Sequence, residues 1–492
     1  MNLNHINVIA RYEVKLVKRS WLFRIFAILA LLFISAIMLG YQTGIVNRMD
    51  NLWPRIAVSS LMPFCNTYFY NIAQSVIVVF LAGSFLKRDK KLDTAEVIYV
   101  RPMSNADYIV GKTWGIVKVF ITLNIITLLF TAFLNILINK SPFDLFPYLF
   151  YLLTISVPSL LFVLGLSFTA MCILKNQAVT FIVMLGIIGT VFFYLTDTLY
   201  GVFDFFGVNI PAIFSDVTGH ADLRLFLLQR FSYLLAGIGL ISMTIALVKR
   251  LPHKPWKIAV VYTFSSLFLL AACLGGLLYI LHYNHQLDLR HQYIMTFDKY
   301  ADVPHVDLLV NDISVTPQGY RLAGKSTVKV ANNNAKPLDK IIFYLNPELT
   351  VTSVEMAGKN LLFRRDHQVI EVDQPIQQQE ELTLTINYEG KISENICYTD
   401  VLTEDYLDTK VLRVFFCLGQ RYLWLTNTFT LLTPECIWYP VTIAPVNPGA
   451  PYNVRKNFTD YTLTVHYEGD KTVLSQGKSK IDGPATNFTN AT

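Results

Sequence analysis

The chain has 492 residues, 53% of them hydrophobic and 15% charged, with a mean hydropathy of +0.42. Soluble domains run nearer a quarter charged, so composition excludes an ordinary soluble enzyme. The net charge of +6 is modest and calls for no nucleic-acid partner.

Residues 3–19 set Ile6, Val8, Ile9, Val14 and Leu16 among Arg11, Lys15, Lys18 and Arg19. That pattern predicts an amphipathic helix at the membrane interface, in contact with membrane lipid. Seven apolar runs come after it, near residues 21–41, 57–86, 113–138, 146–173, 178–196, 225–248 and 257–282. Each comes close to the ~20 residues that cross a bilayer. The first has no small-residue cleavage site and reads as an anchor. The second is long enough to tilt or bend near Pro63. Arg24 and Arg230 fall close to span ends, where such side chains snorkel to the interface. Asn66, Asn71, Gln74, Asn124 and Asn135 are the polar positions of spans two and three. Hydrogen bonding between helices is their expected role, and lining a substrate path is the alternative. No ionisable ladder crosses the runs, which argues against an ion-coupled transporter.

Lys and Arg placement predicts orientation. With residue 1 in the cytoplasm, segments 1–19, 87–112, 174–177 and 249–257 hold 15 of them, against 4 in loops 42–55, 139–145 and 197–224. The positive-inside bias therefore puts the chain beyond the seventh span outside the cytoplasm.

The polar stretch between spans two and three, residues 87–112, carries six basic and four acidic residues. Ala95, Ile98 and Tyr99 give it one apolar helical face. Arg101-Pro102 breaks that pattern, and Ser104 can cap a second short helix running to Gly111. The order resembles the cytoplasmic segment of ABC-2 type permeases: basic residues, a Thr-Ala-Glu-like turn, Arg-Pro-x-Ser, then Tyr and Gly-Lys. The resemblance implies a six-span permease whose segment docks a separate ABC ATP-binding subunit through Asp93, Thr94, Glu96, Tyr99, Arg101 and Pro102. It also implies a second permease half, as a homo- or heterodimer. A basic loop that only holds orientation is the plain alternative. The seventh span then tethers the polar region on its far side.

Residues 282–304 read as a polar juxtamembrane linker. Its His282, His285 and His291 lack the Cys and carboxylate partners of a metal site. From Val306 the hydrophobic period becomes two. Leu382, Leu384, Ile386 and Tyr388 share one face, while Thr383, Thr385 and Asn387 share the other. Residues 460–469 repeat the pattern, and turns fall at 332–334 and Ala357–Asn360. A β-sandwich or curved sheet is expected. Gly319 to Ser326 spells a phosphate-loop string, GYRLAGKS, but it runs into a strand and not a helix N-terminus. It lacks the amide cradle that binds phosphate.

The strings from Asn332 to Phe363, from Leu382 to Ile392 and from Ile437 to Val465 resemble the N-terminal β-domain of the aminopeptidase N (gluzincin) family. The likeness covers roughly 306–477 and is sharpest at Tyr388-Glu389-Gly390 and Trp438-Tyr439-Pro440. It implies an all-β domain that abuts a zinc peptidase domain, with Glu435 as the candidate remnant of a substrate-amine anchor. A plain surface carboxylate is the alternative for Glu435. The His-Glu-x-x-His of such peptidases does not occur in the sequence, so no catalytic residue, metal or cofactor is expected. Cys397, Cys417 and Cys436 fall in this outer part, so at most one disulfide forms there.

Together these readings predict a seven-span α-helical membrane domain followed by an all-β extracytoplasmic domain. The expected parts are an amphipathic helix at 1–20, a six-span permease at 21–248, a seventh span with linker at 249–305, a β-domain at 306–480 and a tail at 481–492. The expected function is the permease subunit of an ABC-2 type exporter in the plasma membrane, carrying a non-catalytic β-domain. The rival is a membrane-tethered zinc aminopeptidase whose catalytic half lies beyond residue 492.

Overall fold

The computed structural model describes residues 2–42, 60–89, 103–138, 143–196, 198–207, 214–215, 219–220, 222–248, 255–401, 403, 424–444, 459–467, 472–482 and 485–490. They form two units, Met1–Tyr283 and Asn284–Thr492.

The first unit is helical. Helix α1 (Leu3–Arg19) is capped by the Asn2 side chain, and Ser20 in extended conformation separates it from α2 (Trp21–Gln42). Then come α3 (Leu61–Asp89), α4 (Asn105–Ile138), α5 (Phe146–Leu174), α6 (Gln177–Leu195), α7 (Leu223–Leu247) and α8 (Pro255–Tyr300). Among the described residues, seven helices, α2 to α8, are long and apolar enough to cross a membrane. Their outer surfaces are apolar too. In α2, Ile28, Leu32 and Phe33 are exposed while Phe23, Phe26, Ala30 and Ile34 are buried. Such a surface suits hydrocarbon on one side and protein on the other.

Helix α4 departs from its predicted start, and α5, whose ends fall as predicted, departs inside, each for a physical reason. The Ser104 hydroxyl accepts from the Asp107 amide at 3.0 Å, as a cap should. The helix it starts runs on through Gly111 to Ile138 as one element. A glycine inside a helix costs only about 1 kcal/mol, and here the missing side chain admits α1. Helix α5 widens into π-type turns at Leu152–Ser156, just before Pro158. Proline offers no amide hydrogen to the preceding turn, and such turns free carbonyls for other partners.

Residues 282–304 are not a linker up to Tyr300, because α8 continues that far. Tyr293 and Tyr300 join the apolar core of the second unit, and Arg290 is fully buried. The overlooked signal is the stripe Tyr279, Tyr283, Arg290, Tyr293, Tyr300, in which every gap is a helical 3, 4 or 7.

A short strand pair, β1 (Phe214–Ser215) and β2 (Gly219–His220), belongs to the first unit. The second unit contains β3 (Asp307–Gln318), β4 (Arg321–Ala331), β5 (Ile341–Tyr344), β6 (Leu349–Met356), β7 (Lys359–Asn360), β8 (Phe363–Asp366) and β9 (Val369–Val372). After them come β10 (Glu381–Gly390), β11 (Asp460–His466), β12 (Lys478–Asp482) and β13 (Ala485–Asn490). One sheet has the order β12-β13-β11-β3-β4-β10-β6-β7, and a smaller one the order β5-β9-β8. The large sheet is mixed, since β11 runs parallel to β3. The predicted alternation holds in β10, where Leu384, Ile386 and Tyr388 are buried. The Tyr388 ring lies so close to Gly324 that a Cβ there would stand 2.3 Å from it. The GYRLAGKS string begins as the β3–β4 turn, with Gly319 at φ +60, and from Arg321 onward lies inside strand β4.

Candidate functional site

The loop between α6 and α7 does not leave the helical unit over its first half. Gly201, Asp204, Phe205, Phe206 and Gly207 are buried. Buried carbonyls need donors, and the spans supply them one after another. Tyr279 of α8 donates to the Tyr200 carbonyl at 2.9 Å. On α7, Gln229 Nε2 donates to the Gly201 and Asp204 carbonyls at 3.1 and 3.0 Å, and Tyr233 to Val202 at 2.7 Å. Arg230 Nη1 donates to the Phe205 carbonyl at 3.1 Å, and Nη2 donates to that of Asp204. Ser159 of α5 donates to Phe205 at 2.5 Å, and Asn71 of α3 to Phe206 at 2.9 Å.

Arg230 is therefore no snorkelling side chain. It is 1% exposed, and its Nε donates to Gln229 Oε1 at 2.6 Å. The planar fork of a guanidinium matches adjacent carbonyls in a way that an ammonium does not. The Asp204 carboxylate is buried beside it and accepts from the Gly207 amide at 3.0 Å.

A polar belt continues from this loop into the bundle. Gln74 Nε2 donates to Asn71 Oδ1 at 2.5 Å, and Asn71 Nδ2 also reaches Ser159 Oγ at 3.2 Å. Asn124 donates to Ser156 Oγ at 2.7 Å, within the widened turn of α5, and Asn135 to Tyr148 Oη at 3.0 Å. Gln74 Nε2 also reaches the Ser156 carbonyl of α5 at 3.5 Å, so helix-to-helix bonding is what four of the five polar positions do. Asn66 makes no such bond among the described residues.

A second constellation holds α1 against α4. Lys112 Nζ lies 3.4 Å from Glu13 Oε2, and both side chains are almost wholly buried. The Asn2 amide donates to Asp107 Oδ1 at 2.8 Å, and His5 Nδ1 lies 3.7 Å from Asp107 Oδ2. Close approach depends on two glycines. A Cβ on Gly111 would stand 2.8 Å from Ile9 Cβ, and one on Gly115 would stand 2.7 Å from Glu13 Cβ.

The docking residues expected from sequence, Asp93, Thr94, Glu96, Tyr99, Arg101 and Pro102, lie outside the described residues. Glu435 is half-buried in a single turn, Pro434–Cys436, ahead of Ile437 at φ 42 and buried Trp438. Among the described residues, no three metal-ligating side chains come together. Arg290, which sequence reasoning overlooks, is enclosed by carbonyls of its own unit. Its Nη1 donates to Asn395 and Cys397 at 3.2 and 2.8 Å, and Nη2 to Tyr398 and Val401 at 2.9 and 3.1 Å.

No family model matches the chain, and no curated protein matches it. Part of it is similar to solved zinc peptidase structures. An M1 zinc metallopeptidase from Deinococcus radiodurans is 16% identical, over 38% of this chain and 38% of that one, with a TM-score of 0.27. Leukotriene A4 hydrolase from Saccharomyces cerevisiae is 11% identical, over 38% of this chain and 27% of that one, with a TM-score of 0.25. The chain thus spans well under half the length of either protein. A likeness at that TM-score is local and carries no functional weight.

Proposed function

We propose that the chain is the permease subunit of an ABC-2 type exporter, driven by a separate ATP-binding subunit docked on residues 87–112 and working with a second permease half. In this reading residue 1 is cytoplasmic, the β-rich unit faces outward without catalysis, and Glu435 is a surface carboxylate. The observation that supports it best is the α1–α4 clamp. Asp107 and Lys112, at the end of the docking segment, are tied to Asn2 and Glu13 of α1. A partner gripping 87–112 would therefore pull on α1 and α4 together. The polar belt ties α3, α4 and α5 together without charge, and the 198–207 loop would seal the bundle around Arg230. Glu96→Lys tests the docking. Breaking a desolvated charge pair there costs about 2–5 kcal/mol, so the variant should insert normally but fail to co-purify with the ATP-binding subunit. Co-purification equal to wild type, for this variant and for a chain with residues 93–102 scrambled, would sink the reading.

A second reading keeps the β-rich unit as the front of a membrane-tethered zinc aminopeptidase. The Tyr388-Glu389-Gly390 string supports it, because its Tyr and Gly are fixed by the fold: Tyr388 covers Gly324, and a Cβ on Gly390 would stand 2.1 Å from the Glu348 carbonyl oxygen. A His-Glu-x-x-His in the adjoining reading frame, with zinc-dependent release of an aminoacyl fluorophore by the longer protein, would favour it over the exporter.

A further inference from the structure

We propose that the outward face of α1 is a binding surface for anionic phospholipid headgroups. The inference rests on the chain being a membrane protein and is independent of the exporter reading. Sequence periodicity alone assigns the apolar positions of this helix to lipid. The structure uses them differently: Ile6, Ala10, Glu13 and Val17 are buried, forming the stripe that α4 covers. Arg11, Lys15, Lys18 and Arg19 remain outside, all exposed, with Val8 and Tyr12 between them. Glu13 is the single acidic residue of the helix, and its pairing with Lys112 withdraws it from that surface. The exposed face thus carries four cations and no anion.

The junction with α2 sets its depth. Only Ser20 separates α1 from the first span, and Arg24 Nε ties the junction by donating to the Lys18 carbonyl at 3.0 Å. Trp21 opens that span and is 71% exposed, as Tyr12 is 59%. Exposed Trp and Tyr at a span end belong at the level of the headgroups. Cations held there meet lipid phosphates before they meet anything soluble, and juxtamembrane Lys and Arg attract anionic leaflets.

The test uses the full chain, purified from mixed phosphatidylglycerol and phosphatidylcholine, with bound lipid counted by native mass spectrometry and affinity measured at low salt. Wild type should retain phosphatidylglycerol selectively. The variant Arg11→Gln/Lys15→Gln/Lys18→Gln/Arg19→Gln should lose roughly 100-fold or more in affinity, since each charge near such a surface counts several-fold. If that variant does not fold, Lys15→Gln/Arg19→Gln should lose roughly tenfold, and Lys15→Arg/Lys18→Arg should lose nothing. Exposed cations of the second unit, Lys336→Gln/Lys359→Gln, should lose less than about twofold, because they do not flank a span. Phosphatidylglycerol retention unchanged in the α1 variants, or lost equally in the Lys336 and Lys359 variant, overturns the proposal. Unchanged lipid with failed capture of an ATP-binding subunit overturns it as well, because the face would then belong to a protein.

Discussion

Gly207 and Arg230 occupy each other's only available space. A methyl group on Gly207 would stand 2.8 Å from Arg230 Nη1, and the Gly207 backbone sits at φ +75. The guanidinium cannot retreat, because three of its nitrogens are engaged. Gly207→Ala therefore combines a strained backbone with a blocked donor. The expected loss is about 1–3 kcal/mol, read as a lowered melting temperature in detergent. An unchanged melt would mean that the loop is not held against Arg230.

Arg290 is the matching device of the second unit. Replacing it with Met leaves four carbonyls without their shared donor. Hydrogen bonds to a charged group contribute about 1.5–3 kcal/mol each, so the segment 395–401 should come loose. Trypsin cleavage after Lys391 should speed up at least tenfold. Arg290→Lys should rescue only in part, since one ammonium cannot span four acceptors. Cleavage at the wild-type rate in Arg290→Met would show that apolar packing alone holds the segment.

These two arginines also mark where sequence reasoning stops. The spans are legible as long apolar runs and β10 by its alternation, because the chain states both locally. Arg230 reads as a snorkelling residue because its acceptors, Asp204 and Phe205, lie about 25 residues away in a loop of no periodicity. Arg290 escapes because a polar residue among polar neighbours reads as linker. Placed in the tyrosine stripe from Tyr279 to Tyr300, its face becomes evident. The 93–102 segment is legible only through resemblance.

The second unit should lose stability in acid. Asp366 is held below its ordinary value of 3.8, mainly by its hydrogen bond with Lys299. Glu371 is held below 4.5, mainly by Lys340 and then by Tyr300. Both folded values are depressed, so their contribution is complete above the unfolded values and is lost as pH falls through the folded ones. Both pairs are partly exposed, at 33% for Asp366 and 19% for Glu371, which limits the total to about 1 kcal/mol after solvent screening. Wild type should therefore melt higher than Asp366→Asn/Glu371→Gln at pH 6.5, and the gap should close toward pH 3. A gap that persists in acid would contradict this assignment.

The Glu13–Lys112 pair allows the sharpest test of how α1 is held. At 3.4 Å, with both side chains about 5% exposed, the pair is nearly dry. Desolvation then offsets most of the Coulomb attraction, so the pair adds little net stability while its loss is costly. Lys112→Met should leave the Glu13 carboxylate buried without that cation, at about 3–5 kcal/mol. Glu13→Leu should cost less, because the Lys112 ammonium also lies 5.2 Å from the centre of the Tyr108 ring. The double variant Glu13→Leu/Lys112→Met should melt close to wild type, since neither charge remains. Melts of all four proteins close a double-mutant cycle, and a coupling of several kcal/mol is expected from residues in contact. Detachment of α1 gives a second readout. In Lys112→Met, trypsin should cut after Lys15 and Lys18 faster than in wild type, and the double variant should restore protection. Additive single effects, with a double variant as weak as their sum, would show that the two groups do not meet in the membrane-embedded protein.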